Sequence, residues 1–280
     1  MNNKKQFIAI TDDTKIMRCR ILIQLIELAN ATPIIIPRYL KKEKNNENIQ
    51  AHLKKIAEKL TLCDAIILPG NKNDVNPQLY KAKNIHPETE KKLPKNKLNV
   101  REETEIYMVN HALKHKKPLL GICGGMQIAN ITLGGSLIQH IPDIVTNDEN
   151  TTKHSDKSIK KLTKIELKIF EENFKEIINN KQKNPFTGTH SIIIKKNSFL
   201  DKIYKKLNIL DKDIKELSIH HQGCLKENLA PELKISAISK DGIIEAAEHK
   251  NHPKFILTQF HPECNSSGIA LELVKFLINN

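Results

Sequence analysis

The stretch PLLGICGGMQIANITLGG, residues 118–135, decides how the rest of the chain is read. Its first five residues form a short apolar run, the pattern of a strand buried on both faces. From GGMQIANITL the apolar positions fall at helical spacing, and the Gly134-Gly135 pair supplies a stop where glycine can take the left-handed cap conformation. Between strand and helix stands Cys123 in a G-x-C-x-G setting, the form of a nucleophile elbow. A sharp turn there pushes the sulfur out of the strand end. The helix N-terminus behind it favours negative charge and offers the Gly124 N–H to a developing oxyanion. Read alone, Cys123 also fits a buried structural thiol.

Working outward, short β-branched runs alternate with longer segments of helical period, the mark of an α/β fold with a mostly parallel sheet flanked by helices. QFIAIT (6–11) reads as the first strand and 15–30 as a helix carrying Ile16, Leu22, Leu25, Ile26 and Leu28. PIIIP (33–37) is the next strand, followed by a helix ending near Leu60, then DAIILPG (64–70), a long loop, and a helix over 101–116. Downstream, HSIIIK, ELSIH, LKISAIS, IIEAAE and KFILTQF supply further strands, and GIALELVKFLI closes the chain as an amphipathic helix. Residues 147–188 are polar and lysine-rich, with Ile165, Ile169, Phe170, Phe174 and Ile177 at helical intervals, and are expected to form an inserted helix or flap. A single domain over 1–280 is expected.

A cysteine nucleophile needs a base. Gln259-Phe260-His261-Pro262-Glu263, at the end of an apolar strand, offers His261 for the proton and Glu263 to fix the imidazole tautomer and stabilise its charged form. Leu68-Pro69-Gly70-Asn71 also ends a buried strand, where ligands of open α/β sheets sit, and Gly70 or Asn71 can supply a second oxyanion donor beside Gly124. Taken separately, the first segment also fits a surface turn and the second an ordinary loop.

Composition narrows the alternatives. The five cysteines include no CxxC pair, so neither a disulfide framework nor a zinc ribbon is expected. No apolar run approaches the roughly 18 residues of a membrane span, and the start MNNKKQFIAITDD lacks the pattern of a secretory signal, so a cytoplasmic protein is expected. The net charge of +13 comes mostly from lysine scattered along the whole chain rather than gathered with aromatics on one face, which argues against a nucleic-acid partner.

LPGNKNDVNPQLY, PLLGICGGMQIANITLGGSLIQHI, ELSIHHQG, DGIIEAAE and FILTQFHPE occur in that order. Together they resemble the class I glutamine amidotransferase-like hydrolases, and most of all the γ-glutamyl-γ-aminobutyrate hydrolase branch, peptidase family C26. The resemblance spans almost the whole chain. It implies a flavodoxin-like sheet and a Cys123, His261, Glu263 triad that cleaves a small γ-glutamyl amide through a thioester. It further implies that His220, His221 and Gln222 line or support the substrate pocket. No metal and no organic cofactor is required by that chemistry, and no ligand spacing in the sequence suggests one. The rival readings are a glutaminase subunit feeding ammonia to a separate synthase and a non-catalytic binding protein on the same scaffold; self-association as a homodimer is left open. Three positions depart from the family pattern: Gly124 stands where an arginine usually follows the nucleophile, Asn71 where a second glycine is usual, and Leu217 where asparagine is usual.

Overall fold

Four short segments with every residue buried, Ala65–Leu68, Leu119–Ile122, Phe255–Thr258 and the inner half of Gln6–Thr11, can exist only between two covering layers. The computed structural model, which describes residues 5–12, 17–37, 46–93, 100–145, 154, 189–209, 214–265 and 267–279, has this arrangement. The strands are β1 (Gln6–Thr11), β2 (Ala31–Ile36), β3 (Ala65–Leu68), β4 (Leu119–Ile122), β5 (Thr189–Ile194), β6 (Ile214–Leu217), β7 (Leu233–Ser239), β8 (Ile244–His249) and β9 (Phe255–Thr258). They form one sheet in the order β2-β1-β3-β4-β9-β8-β7-β5-β6.

The half from β2 to β9 is wholly parallel, and its 2-1-3-4 order followed by one further strand is the flavodoxin-like arrangement. From β9 onward every pairing is antiparallel. The sheet is therefore mixed. Strands β7 and β8 are separated only by a tight turn around Gly242, and so short a connection joins antiparallel neighbours.

The main helices are α1 (Met17–Leu28), α2 (Asn46–Leu62), α4 (Val100–His115), α5 (Gly124–Thr132), α6 (Phe199–Lys206) and α7 (Ile269–Ile278), with a single-turn α3 at Pro87–Glu90. Alternate strand residues face opposite ways, so Ile8, Ile10, Ala65, Ile67, Leu120 and Ile122 pack with α1, α6 and α7. Ala9, Ile66, Leu68, Leu119 and Leu257 pack with α2, α4 and α5. In α1 the positions Ile21, Leu22, Leu25 and Ile26 recur at helical spacing and are fully buried.

Two local expectations need correction. The stretch read as a long loop after Gly70 contains a 3₁₀ turn at Pro77–Tyr80, begun by the Asn76 side chain accepting from the Gln78 N–H, and then α3. Helix α6 escaped the sequence reading although Ser198 caps it by accepting from the Asp201 N–H. The inserted helix or flap expected at 147–188 lies outside the described residues except for His154.

The functional consequence is geometric. Parallel neighbours β3, β4 and β9 end on the same side, with Leu68 opposite Gly121 and Ile122 opposite Thr258. The residues just beyond those ends, Gly70, Cys123 and His261, therefore meet at one rim.

Candidate active site

Cys123 joins β4 to α5 and holds φ 51°, ψ −105°, a left-handed-side conformation that a non-glycine residue adopts only where its surroundings enforce it. Its amide donates to the Thr258 carbonyl at 2.7 Å and its carbonyl accepts from the Gln127 N–H at 3.0 Å, so the strain is held from both sides. The strained residue is the cysteine itself. The flanking glycines Gly121 and Gly125 answer to close packing. A Cβ on Gly121 would approach the Gly125 carbonyl oxygen to 2.9 Å, and one on Gly125 would lie 2.2 Å from the Leu68 carbonyl oxygen. They allow α5 to lie directly on β3 and β4.

His261 follows β9 and begins a short turn over Pro262–Cys264; its amide donates to the Leu217 carbonyl at 2.9 Å. His261 and Glu263 are both fully buried, and Nδ1 meets Glu263 Oε1 at 2.7 Å. Glu263 is also 4.0 Å from the Arg18 guanidinium on α1. Burial alone pulls the imidazole pKa down, but Glu263 and Cys123 outweigh both burial and the Arg18 charge, so the ring is raised to about 9. Nε2 is buried without an aligned hydrogen bond, and Cys123 is the group outside the His261–Glu263 pair that favours the proton on the ring.

Gly70 lies against both Cys123 and His261. A Cβ there would stand 2.7 Å from His261 Cε1 and 3.4 Å from Cys123 Cβ, so any larger residue would displace the imidazole. The neighbouring Asn71 amide nitrogen is 3.2 Å from where a Gly124 Cβ would be. Gly124 opens α5, so its N–H has no acceptor within the helix. Of the two donors expected on the β3 loop, the Asn71 amide is thus the one beside Gly124, while Gly70 faces the ring.

The sequence reading missed a guanidinium. Arg101, at the head of α4, is 2% exposed and pairs with buried Glu105 at 2.9 Å; Glu105 in turn accepts from Thr11 Oγ1 at 3.0 Å. Arg101 Nη2 sits 2.9 Å from the position of a Gly124 Cβ. A positive charge therefore borders the residue after Cys123, but it comes from another element, and glycine at 124 leaves it room. Nothing in the local sequence marks Arg101 as buried, since arginine on a helix is ordinarily exposed.

The three-residue segment His220, His221, Gln222 divides its roles. His221 Nε2 is 2.7 Å from Asp74 Oδ2, joining the β3 loop. Gln222 Oε1 accepts from the Val75 N–H at 3.1 Å, and its carbonyl accepts from Gln127 Nε2 at 3.1 Å, tying that loop to α5. These two support the rim. His220 turns away from it and packs with His154, His190 and Glu245, a donor set able to hold a cation.

The Peptidase C26 family model matches residues 2–263. A protein described as glutamine amidotransferase-like from Rickettsia prowazekii is 34% identical over 233 residues, 80% of this chain and 79% of that one. The γ-glutamyl-γ-aminobutyrate hydrolase PuuD of Escherichia coli K12 is 25% identical over 251 residues, 89% of this chain and 79% of its own. Among solved structures, the glutaminase domain of Trypanosoma brucei CTPS, with bound acivicin, superposes with TM-score 0.53 at 16% identity over 99% of this chain and 96% of that one. At that identity the likeness carries the fold. Together the family and its relatives support a hydrolase of the glutamine amidotransferase type.

Proposed function

Since the chain belongs to the Peptidase C26 family, we propose that it hydrolyses γ-glutamyl amides, with Cys123 as nucleophile, His261 as acid and base, and Glu263 as the group that orients His261. The observation that carries the reading is the meeting of three strand ends. The Gly70 backbone stands against both Cys123 and the His261 ring, and Nδ1 of that ring is held by Glu263 at 2.7 Å.

The Cys123 thiolate, beside protonated His261, attacks the γ-carbonyl carbon, and the carbonyl oxygen takes up the negative charge. The Gly124 and Asn71 amides are the donors for it, the Asn71 nitrogen lying 3.2 Å and Arg101 Nη2 2.9 Å from the position of a Gly124 Cβ. Collapse of the intermediate breaks the C–N bond; His261 returns its proton to the departing amine and leaves a thioester on Cys123. His261 then takes a proton from water, the hydroxyl adds to the thioester, and glutamate leaves as the Cys123 thiolate beside protonated His261 is restored. The substrate class rests on the family and on the E. coli relative, a γ-glutamyl-γ-aminobutyrate hydrolase, and the burial of His261 and Glu263 supports a dry site in which fixed dipoles act strongly.

Amine release from a panel of γ-glutamyl amides tests the reading. The wild-type chain is expected to turn over at least one, to form an acyl adduct at Cys123 visible by intact mass, and to lose both in Cys123→Ala. Unchanged turnover in Cys123→Ala would sink it.

A further inference from the structure

Away from the triad, in the antiparallel half of the sheet, four side chains from four separate segments point at one place. Glu245 lies on β8, His190 on β5, His220 just beyond β6, and His154 is isolated in sequence from the other three. All four are buried, Glu245 completely, and one ligand atom from each lies within 4.8 Å of all the others. Glu245 Oε1 is 3.1 Å from His154 Nδ1, 3.2 Å from His190 Nε2 and 3.6 Å from His220 Nε2.

The outward-facing nitrogens fix the tautomers. His190 Nδ1 lies 3.1 Å from the Ser191 carbonyl and His220 Nδ1 lies 2.8 Å from the Gln222 carbonyl. His154 Nε2 lies 3.0 Å from Asp241 Oδ2. Carbonyls and carboxylates only accept, so each of these nitrogens carries the N–H, and in the neutral ring the inward nitrogen is a lone pair. With neutral rings, three lone pairs face a carboxylate and the centre holds only acceptors; with protonated rings the same nitrogens face Glu245 as ion pairs, and metal analysis separates the two states. None of the inward nitrogens, and neither Glu245 oxygen, makes an aligned hydrogen bond despite the short separations. Leaving such groups buried and unmatched is costly, and atoms aimed at a shared point rather than at one another are what a central cation requires.

We propose that this chain holds one divalent transition-metal ion, zinc by donor type, in a closed site made of His154 Nδ1, His190 Nε2, His220 Nε2 and the Glu245 carboxylate. With metal–ligand bonds of about 2.0–2.2 Å, a tetrahedral ion sets its ligand atoms roughly 3.4 Å apart, and the three nitrogen–oxygen separations bracket that value. Imidazole-rich sets suit zinc rather than the hard cations. The Asp241, Ser191 and Gln222 acceptors form the outer layer that orients ligating histidines.

Four protein ligands leave no open position, so the ion is structural. It clamps His154, whose carbonyl already accepts from the His220 N–H at 2.7 Å and from Ser218 Oγ at 3.0 Å, onto the sheet. It also fixes the loop carrying His221 and Gln222 beneath the active-site rim. The sequence gives no hint of it, because ligands at 154, 190, 220 and 245 share no short spacing. The site does not depend on the hydrolase reading.

The full chain, purified without a polyhistidine tag and analysed for metal, is expected to carry about one zinc per chain. Stripping with a chelator is expected to lower Tm by roughly 5 °C or more, with recovery on adding zinc. Cobalt loaded into the stripped protein is expected to give the intense visible bands of a tetrahedral ion. Glu245→Gln and His190→Ala lose metal and bands, whereas Cys123→Ser keeps both. Wild-type protein that is folded, carries no metal and gains no Tm from zinc, cobalt or nickel overturns the proposal. So does metal lost in Cys123→Ser, or metal retained in both Glu245→Gln and His190→Ala. The wild-type measurements decide the matter even if a variant fails to fold.

Discussion

The imidazole of His261 feels four influences at once. Burial and the Arg18 charge disfavour its proton, Glu263 and Cys123 favour it, and the balance stands at about 9. Its folded pKa thus lies above the ordinary value of 6.5. The stability this proton supplies is complete below pH 6.5 and is lost as pH rises through about 9. In the proposed mechanism the same proton goes to the leaving amine, so kcat/KM is expected to fall along an alkaline limb near pH 9. In Glu263→Gln the largest raising influence is gone. That limb is expected to move toward lower pH, and kcat to fall on the order of 10²-fold or more. A pH–rate profile of the two proteins checks this; superimposable limbs would show that Glu263 does not set the His261 proton.

Helix α5 and strands β3 and β4 meet so closely that two adjacent glycines carry separable duties. Gly125→Ala would put a carbon 2.2 Å from a backbone oxygen of β3, which neither element can yield without moving. The expected cost is about 1–3 kcal/mol, a Tm loss of several degrees. Gly124→Ala meets the tip of Arg101 at 2.9 Å and the Asn71 amide at 3.2 Å. The tip can shift, so Tm is expected to change little while kcat/KM drops about tenfold, as the paired oxyanion donors and the charge behind them are pushed apart. Thermal melts beside steady-state kinetics separate the two. Equal Tm losses would mean that both glycines serve packing alone. The sequence reading gave Gly124 the part of oxyanion donor and could not tell the two duties apart, since a G-x-C-x-G string does not say which neighbour lies against each glycine.

Across the whole molecule, one sheet is shared by two apolar layers. Ile10 packs on the α1, α6 and α7 side, and Leu257 on the α2, α4 and α5 side. The strands carrying them, β1 and β9, are three places apart in the sheet, roughly 14 Å. Ile10→Ala and Leu257→Ala are each expected to cost about 2–5 kcal/mol, and the double variant to lose their sum to within about 0.5 kcal/mol. Denaturant unfolding of the four proteins measures this; a marked departure from additivity would mean that the sheet relaxes as a unit when either layer is thinned. Net charge adds little at this scale. The 45 basic and 32 acidic residues are spread along the chain, and among the described residues no helix is long and apolar enough to cross a membrane.

The sequence by itself determined the strands of the parallel half, the helix after Cys123, and the pairing of His261 with Glu263. Each is a matter of residues within a few positions of one another, where strand and helix periods and two-residue spacing suffice. Only the tertiary structure decided that Gly70, Cys123 and His261 share one rim, because that depends on the order in which β3, β4 and β9 lie side by side. The same holds for the Arg101 charge beside Gly124 and for three histidines around Glu245. Burial and proximity across tens of residues are set by strand order and layer packing, and no local pattern encodes them.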